Sequence, residues 1–174
     1  MLLREFVVRV LDDVHEEVEN AIDGMTLEQL FHRPEAEANS MGWLAWHVAR
    51  TQDQRSSHLQ DLPQLWVADG WHTRFELDAD PKNTGRGHDD EQVSAVRPES
   101  PRVLRDYCDA AYRRTKAYVE SLPPGSEDET ATGPDGLVGP LSNILFRIVH
   151  GGIAHSAQLA YVRGLIEHRH WFPR

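Results

Sequence analysis

Apolar residues recur at steps of three and four along four long stretches of the chain, the spacing of an amphipathic helix. In the first stretch Leu3, Val7, Val10, Val14, Val18 and Ile22 share a stripe, and Asp23-Gly24 ends it. A short turn follows, with Thr26 capping Leu27 to Phe31 and Pro34 closing the segment. The second long helix is predicted from Asn39 or Ser40 through Leu59, with Pro63 as its stop and Leu44, His47, Val48, Thr51, Arg55 and His58 facing inward. The third opens at Ser100-Pro101, a cap followed by proline at the first helical position, and breaks at Pro123-Pro124-Gly125. Its stripe is Leu104, Tyr107, Ala111, Thr115, Tyr118 and Leu122. The fourth begins between Pro140 and Ser142, and its stripe runs through Leu141, Leu145, Ile148, Gly152, His155, Leu159, Val162 and Ile166.

Four such helices, with almost no alternating pattern, predict an all-α four-helix bundle in one domain over residues 1–174. About 40 residues join the second and third helices, a connection long enough to carry structure or function of its own. Trp66, Trp71 and Phe75 give it too much apolar surface for a solvated linker. It is expected to pack over one end of the bundle as a crossover, with a short helix at Asp90 to Val96.

Composition narrows the function classes. Lys and Arg number 18 against 28 Asp and Glu, a net charge of -10, and no basic cluster marks a nucleic-acid surface. The segment Met1 to Val10 carries Arg4, Glu5 and Arg9 within its apolar run, which fits neither a signal peptide nor a membrane span. The single cysteine, Cys108, allows no intramolecular disulfide and fits a reducing, cytoplasmic setting. It reads as a buried, inert thiol.

The candidate chemistry lies in two histidines. His155 replaces an aliphatic residue in a regular stripe, and His47 sits within Trp43-Leu44-Ala45-Trp46-His47-Val48-Ala49. An unpaired polar group facing the core costs roughly 1–3 kcal/mol, so each ring needs a partner, which a metal or a polar network can supply. Gly151-Gly152, on the turn before His155, reads either as close helix packing or as room for a ligand. His150 is rotated from His155 by roughly 140° on a regular helix, and His58 lies roughly 16 Å along the helix from His47. His72, His88, His168 and His170 read as solvent-exposed. No Ser-His-Asp, phosphate-loop, CxxC or HExxH signature is present.

The stretch Met41-Gly42-Trp43-Leu44-Ala45-Trp46-His47 resembles the second-helix histidine motif of the DinB/YfiT-like metalloenzyme superfamily. His155-Ser156-Ala157-Gln158 and the apolar run after it resemble the fourth-helix motif, usually His-x-Gly-Gln. Gln64 to Trp71 is similar to one branch of the family. The resemblance implies a four-helix bundle and a divalent metal, zinc or nickel, held by one histidine of the second helix and two of the fourth at i and i+4. It also implies transfer or isomerisation with a low-molecular-weight thiol such as mycothiol or bacillithiol, as in maleylpyruvate isomerases. Carried over, His47 matches the first ligand and His155 the last, while the middle one falls on Gly151. His150 is the remaining candidate, reachable through a helix distortion such as a π-bulge. Three readings follow: a metal-dependent thiol S-transferase or isomerase with a small-molecule thiol and electrophile as partners, a metal-free small-molecule-binding bundle with a degenerate metal site, or a structural dimerising bundle. A homodimer is expected, and neither nucleic acid nor membrane is.

Overall fold

A computed structural model describes residues 2–170, so the extreme ends of the expected domain, Met1 and 171–174, lie outside the described residues. The long helices are α1 (Leu3–Ile22), α3 (Met41–Leu59), α7 (Pro101–Ser121) and α8 (Leu141–Ile166). Short helices stand between them: α2 (Leu27–Phe31), α4 (Leu65–Ala68), α5 (Trp71–Arg74) and α6 (Asp90–Ala95). Caps set the starts, as the residue types dictate. The side chains of Thr26, Ser40, Asp89 and Ser100 each accept from a backbone N–H in the first turn of α2, α3, α6 and α7.

Helices α1 and α3 each pack against both α7 and α8, which closes a four-helix bundle. The fold class is all-α, as the stripes predict. One sheet interrupts it, a two-stranded antiparallel hairpin of β1 (Thr130–Thr132) and β2 (Val138–Pro140), with Thr130 opposite Pro140. Its register leaves Pro140 as the residue from which α8 departs. Among the described residues, no helix is long and apolar enough to cross a membrane.

The long connection packs over one end of the bundle. Trp66, Phe75, Val93 and Val96 from it are buried in the same core cluster as Trp43, Trp46, Leu104 and Tyr107. At the other end a second cluster gathers Leu11, Val119, Leu145 and Ile148. Gly152 brings α8 close to α1, since a Cβ there would stand 3.1 Å from a methyl of Val14. Close packing is therefore its role.

The inward stripe of α3 differs from the one its sequence predicts. Arg50, Asp53, Ser56 and Ser57 are buried, whereas Arg55 is only half-buried and His58 is exposed. The cause is a partner that the periodicity could not show. Asp53 accepts from the backbone N–H groups of Leu65 and Trp66, both at 2.9 Å, from the Ser57 and Tyr107 hydroxyls, and from Arg50. Arg50 in turn donates to Gln64 and to the carbonyls of Asn83 and Pro81, and lies over the Trp66 ring. A buried ion pair with its remaining hydrogen bonds met is tolerated in a core. This one ties the crossover to α3. His58 instead donates to the Thr132 carbonyl of the hairpin at 2.9 Å.

Candidate functional site

α3 and α8 bring His47 and His155 together. The ring centroids are 4.7 Å apart and the planes meet at 84°, edge to face. Trp43, one turn before His47, stacks on its imidazole at 4.8 Å and meets His155 edge-on at 6.5 Å. The indole is itself fixed by its N–H, which donates to Nδ1 of His88 at 3.2 Å.

Each ring of the pair is oriented through Nδ1. His47 Nδ1–H donates to the Thr84 carbonyl, and His155 Nδ1–H donates to Oε1 of Gln158 at 2.7 Å. Nε2 of both rings therefore carries the free lone pair. This outer-partner arrangement fixes the tautomer and aim of a metal-ligating histidine. Burial pushes the His47 pKa down to about 4, and the nearby Arg55, His88 and His155 act in the same direction as burial. At neutral pH that ring is uncharged and its lone pair is available.

The carbonyl that holds His47 comes from the crossover. Gly85, at φ +92°, turns the chain immediately after Thr84. A Cβ on Gly85 would stand 2.8 Å from Trp43, 2.9 Å from Trp46 and 3.0 Å from His47 Nδ1, so only glycine lets the loop lie this close. Arg50 supports the same loop by binding the carbonyls of Pro81 and Asn83.

The other histidines divide. His88 is not a solvent-exposed loop residue. It is half-buried against Trp46 and accepts from the Trp43 indole through Nδ1, while Nε2–H donates to Asn83 at 2.8 Å. With both nitrogens engaged it braces the site but offers no lone pair. His150 does not join the pair: it is exposed and stacks on Phe146 at 5.2 Å. Helix α8 stays α-helical from end to end, so no π-bulge swings His150 inward. His72 lies half-buried beside Trp66, and His168 and His170 are exposed. Cys108 is buried, and burial raises its thiol pKa far above the ordinary range, which makes it inert.

Position 151, one turn before His155 on the same face, carries no side chain, and a Cβ there would meet nothing within 4 Å. Among the described residues, no group of three His, Cys, Asp or Glu side chains is placed to hold a metal ion. Sequence reasoning found the two rings but missed Thr84, Gly85 and His88. A Gly-Arg-Gly stretch ahead of His88, within a connection rich in tryptophan, was the available signal.

Known proteins share this architecture. A conserved protein from Enterococcus faecalis superposes with a TM-score of 0.85 at 24% identity, over 97% of this chain and 99% of that one. The mycothiol-dependent maleylpyruvate isomerase gives a TM-score of 0.61 at 14% identity, and a mutant form of it gives 0.62. In both cases 91% of this chain is covered, and this chain spans only 61% of the isomerase's length. At these identities the likeness is one of fold. No curated protein matches the sequence. The sequence profile of the DinB superfamily matches residues 11–159, which include both histidines, all of α3 and α7 and most of α1 and α8. The chain belongs to the DinB superfamily.

Proposed function

We propose that the His47–His155 pair is the reactive centre of a small-molecule enzyme, with a low-molecular-weight thiol as co-reactant. The observation that carries this reading is the pairing of two imidazoles whose Nδ1–H groups are both engaged, leaving two Nε2 lone pairs free. The structural neighbour that is mycothiol-dependent supports a thiol, and an isomerisation or transfer is the reaction class in keeping with it.

A zinc or nickel ion is met here by two imidazoles where a catalytic zinc takes three protein ligands, so the side chains do not fit a resident ion held by the protein alone. A divalent ion enters this reading only with a third donor brought by the bound molecule. The chain's own groups support simpler work. The neutral His47 and its partner accept hydrogen bonds through Nε2 from a thiol or hydroxyl and orient it, and Trp43 and the Gly85 loop exclude water from one side. A metal-free binding bundle is the second reading, favoured by Gly151. Exposed Phe146, Ile153, Tyr161 and Leu165 on α8 support a homodimer.

Zinc titrated into tag-free protein, wild type against His47→Ala, tests the proposal. Weak binding reduced at least about tenfold by the substitution is expected. Equal binding by both would remove the pair from the site, and no binding by either would favour the metal-free reading.

A further inference from the structure

Two turns along α3 and α8 from the histidines lies a cavity of about 180 Å³. Arg55 of α3 and Arg147 of α8 line it, together with Asn143 and hairpin-loop residues that include Asp135. On α3, His47, Thr51 and Arg55 follow one another at single turns, and on α8 so do His155, Gly151 and Arg147. Eight residues of helix rise about 12 Å, the backbone separation along each helix between its histidine and its arginine. Between them along the helices lie Thr51 on α3 and Gly151 on α8, and a Cβ at Gly151 would meet nothing within 4 Å.

The charges in this cavity do not balance. Arg147 is paired with Asp135 at 2.5 Å, and the second Asp135 oxygen accepts from the Leu137 N–H. Arg55 makes no ion pair among the described residues, and its one hydrogen bond is a 3.5 Å contact to the Thr51 carbonyl of its own helix. It is nevertheless half-buried, and burial, with Arg147 and Arg86 nearby, lowers its pKa against the pull of Asp135. A half-buried guanidinium with no carboxylate in contact is open to an anionic partner, and its planar fork matches a carboxylate.

We propose that this cavity is a carboxylate subsite, in which Arg55, with Arg147 beside it, grips the acid group of a small molecule whose other end reaches His47 and His155. The substrate class is therefore a small molecule that carries a carboxylate apart from its reacting group. The proposal rests on the histidine pair being the reactive centre, but the subsite itself can be tested without it.

The test is the thermal shift and calorimetric affinity of tag-free protein with succinate, at constant ionic strength. Succinamide serves as the uncharged control and inorganic phosphate as the competing oxyanion. Succinate should bind wild type and His47→Ala equally, Arg55→Gln at least about tenfold more weakly, and Arg55→Lys in between, since lysine keeps the charge without the fork. Succinamide should not bind. Circular dichroism of each variant separates lost binding from lost folding, and Arg147→Gln supplies a second removal if Arg55→Gln does not fold. Failure of succinate to bind wild type, or equal binding by Arg55→Gln, would overturn the subsite while leaving the histidine reading intact. Tighter binding of phosphate than of succinate would overturn the carboxylate assignment. Retained succinate binding with no role for His47 in zinc binding would instead count against the histidine reading alone.

Discussion

His47 donates its Nδ1–H to the backbone carbonyl of Thr84, 37 residues away on the crossover, so the aim of a bundle histidine is set by a loop outside the bundle. The loop reaches that position because Gly85 follows it in a left-handed conformation against two tryptophans. Replacing Gly85 with alanine adds backbone strain and a clash with Trp43, Trp46 and His47. A loss of about 2–3 kcal/mol is expected in chemical denaturation, with displaced His47 resonances in NMR spectra. An alanine variant as stable as wild type would show that the loop does not depend on this contact.

The burial of His47 carries a sign in pH. Its folded pKa, about 4, lies below the ordinary value of 6.5, so between these values the unfolded chain binds a proton that the folded one does not. The stability it contributes is present above pH 6.5 and is lost as pH falls toward 4. His15 and His88, lowered by burial too, act in the same direction. Denaturation of chelator-treated protein between pH 7 and 5 should show stability falling with acidification. NMR titration should find the His47 ring uncharged at pH 5. Stability rising over that window would contradict the assignment.

The Arg50–Asp53–Tyr107 cluster predicts a large effect from a residue outside the site. Asp53→Ala leaves a buried guanidinium and two backbone N–H groups without their partner, and should cost roughly 3–5 kcal/mol. Surface pairs such as Arg102–Asp106 should cost under about 1 kcal/mol when broken. Comparable losses at both sites would mean that the cluster does not anchor the crossover.

The two adjacent glycines of α8 should respond oppositely to alanine. At Gly151 the methyl meets open space and helix propensity favours it by up to about 1 kcal/mol. At Gly152 it presses on both methyls of Val14, a stiff β-branched neighbour. Gly151→Ala should be the more stable protein by about 1 kcal/mol or more, read from denaturant midpoints.

Local pattern was enough for the helices because capping residues and apolar spacing act within a few residues of chain. The ends of α3 and α7 follow from Ser40 and Ser100, and the meeting of His47 with His155 follows from their places on facing helices. What was not legible depends on long-range partners. Periodicity put Arg55 and His58 inward on α3, but Asp53 and Arg50 took the interior because backbone N–H groups at Leu65 and Trp66 came to meet Asp53 and the carbonyls of Pro81 and Asn83 came to meet Arg50. His88 looked like a loop residue until the fold laid Trp43 and Asn83 against it. The angle between His150 and His155, by contrast, is a property of any regular helix. It already indicated that His150 would not share the site unless the helix distorted.

The most direct test of the two-imidazole centre is the zinc affinity of tag-free Gly151→His protein, compared with wild type by calorimetry. A histidine at 151 lies one turn before His155, in space that nothing fills, and would complete a set of three ligands with His47. Binding at least about 100-fold tighter than wild type, lost again when His47→Ala is added, is the predicted result. Affinity unchanged by the added histidine, in a variant that folds as wild type does, would contradict the account.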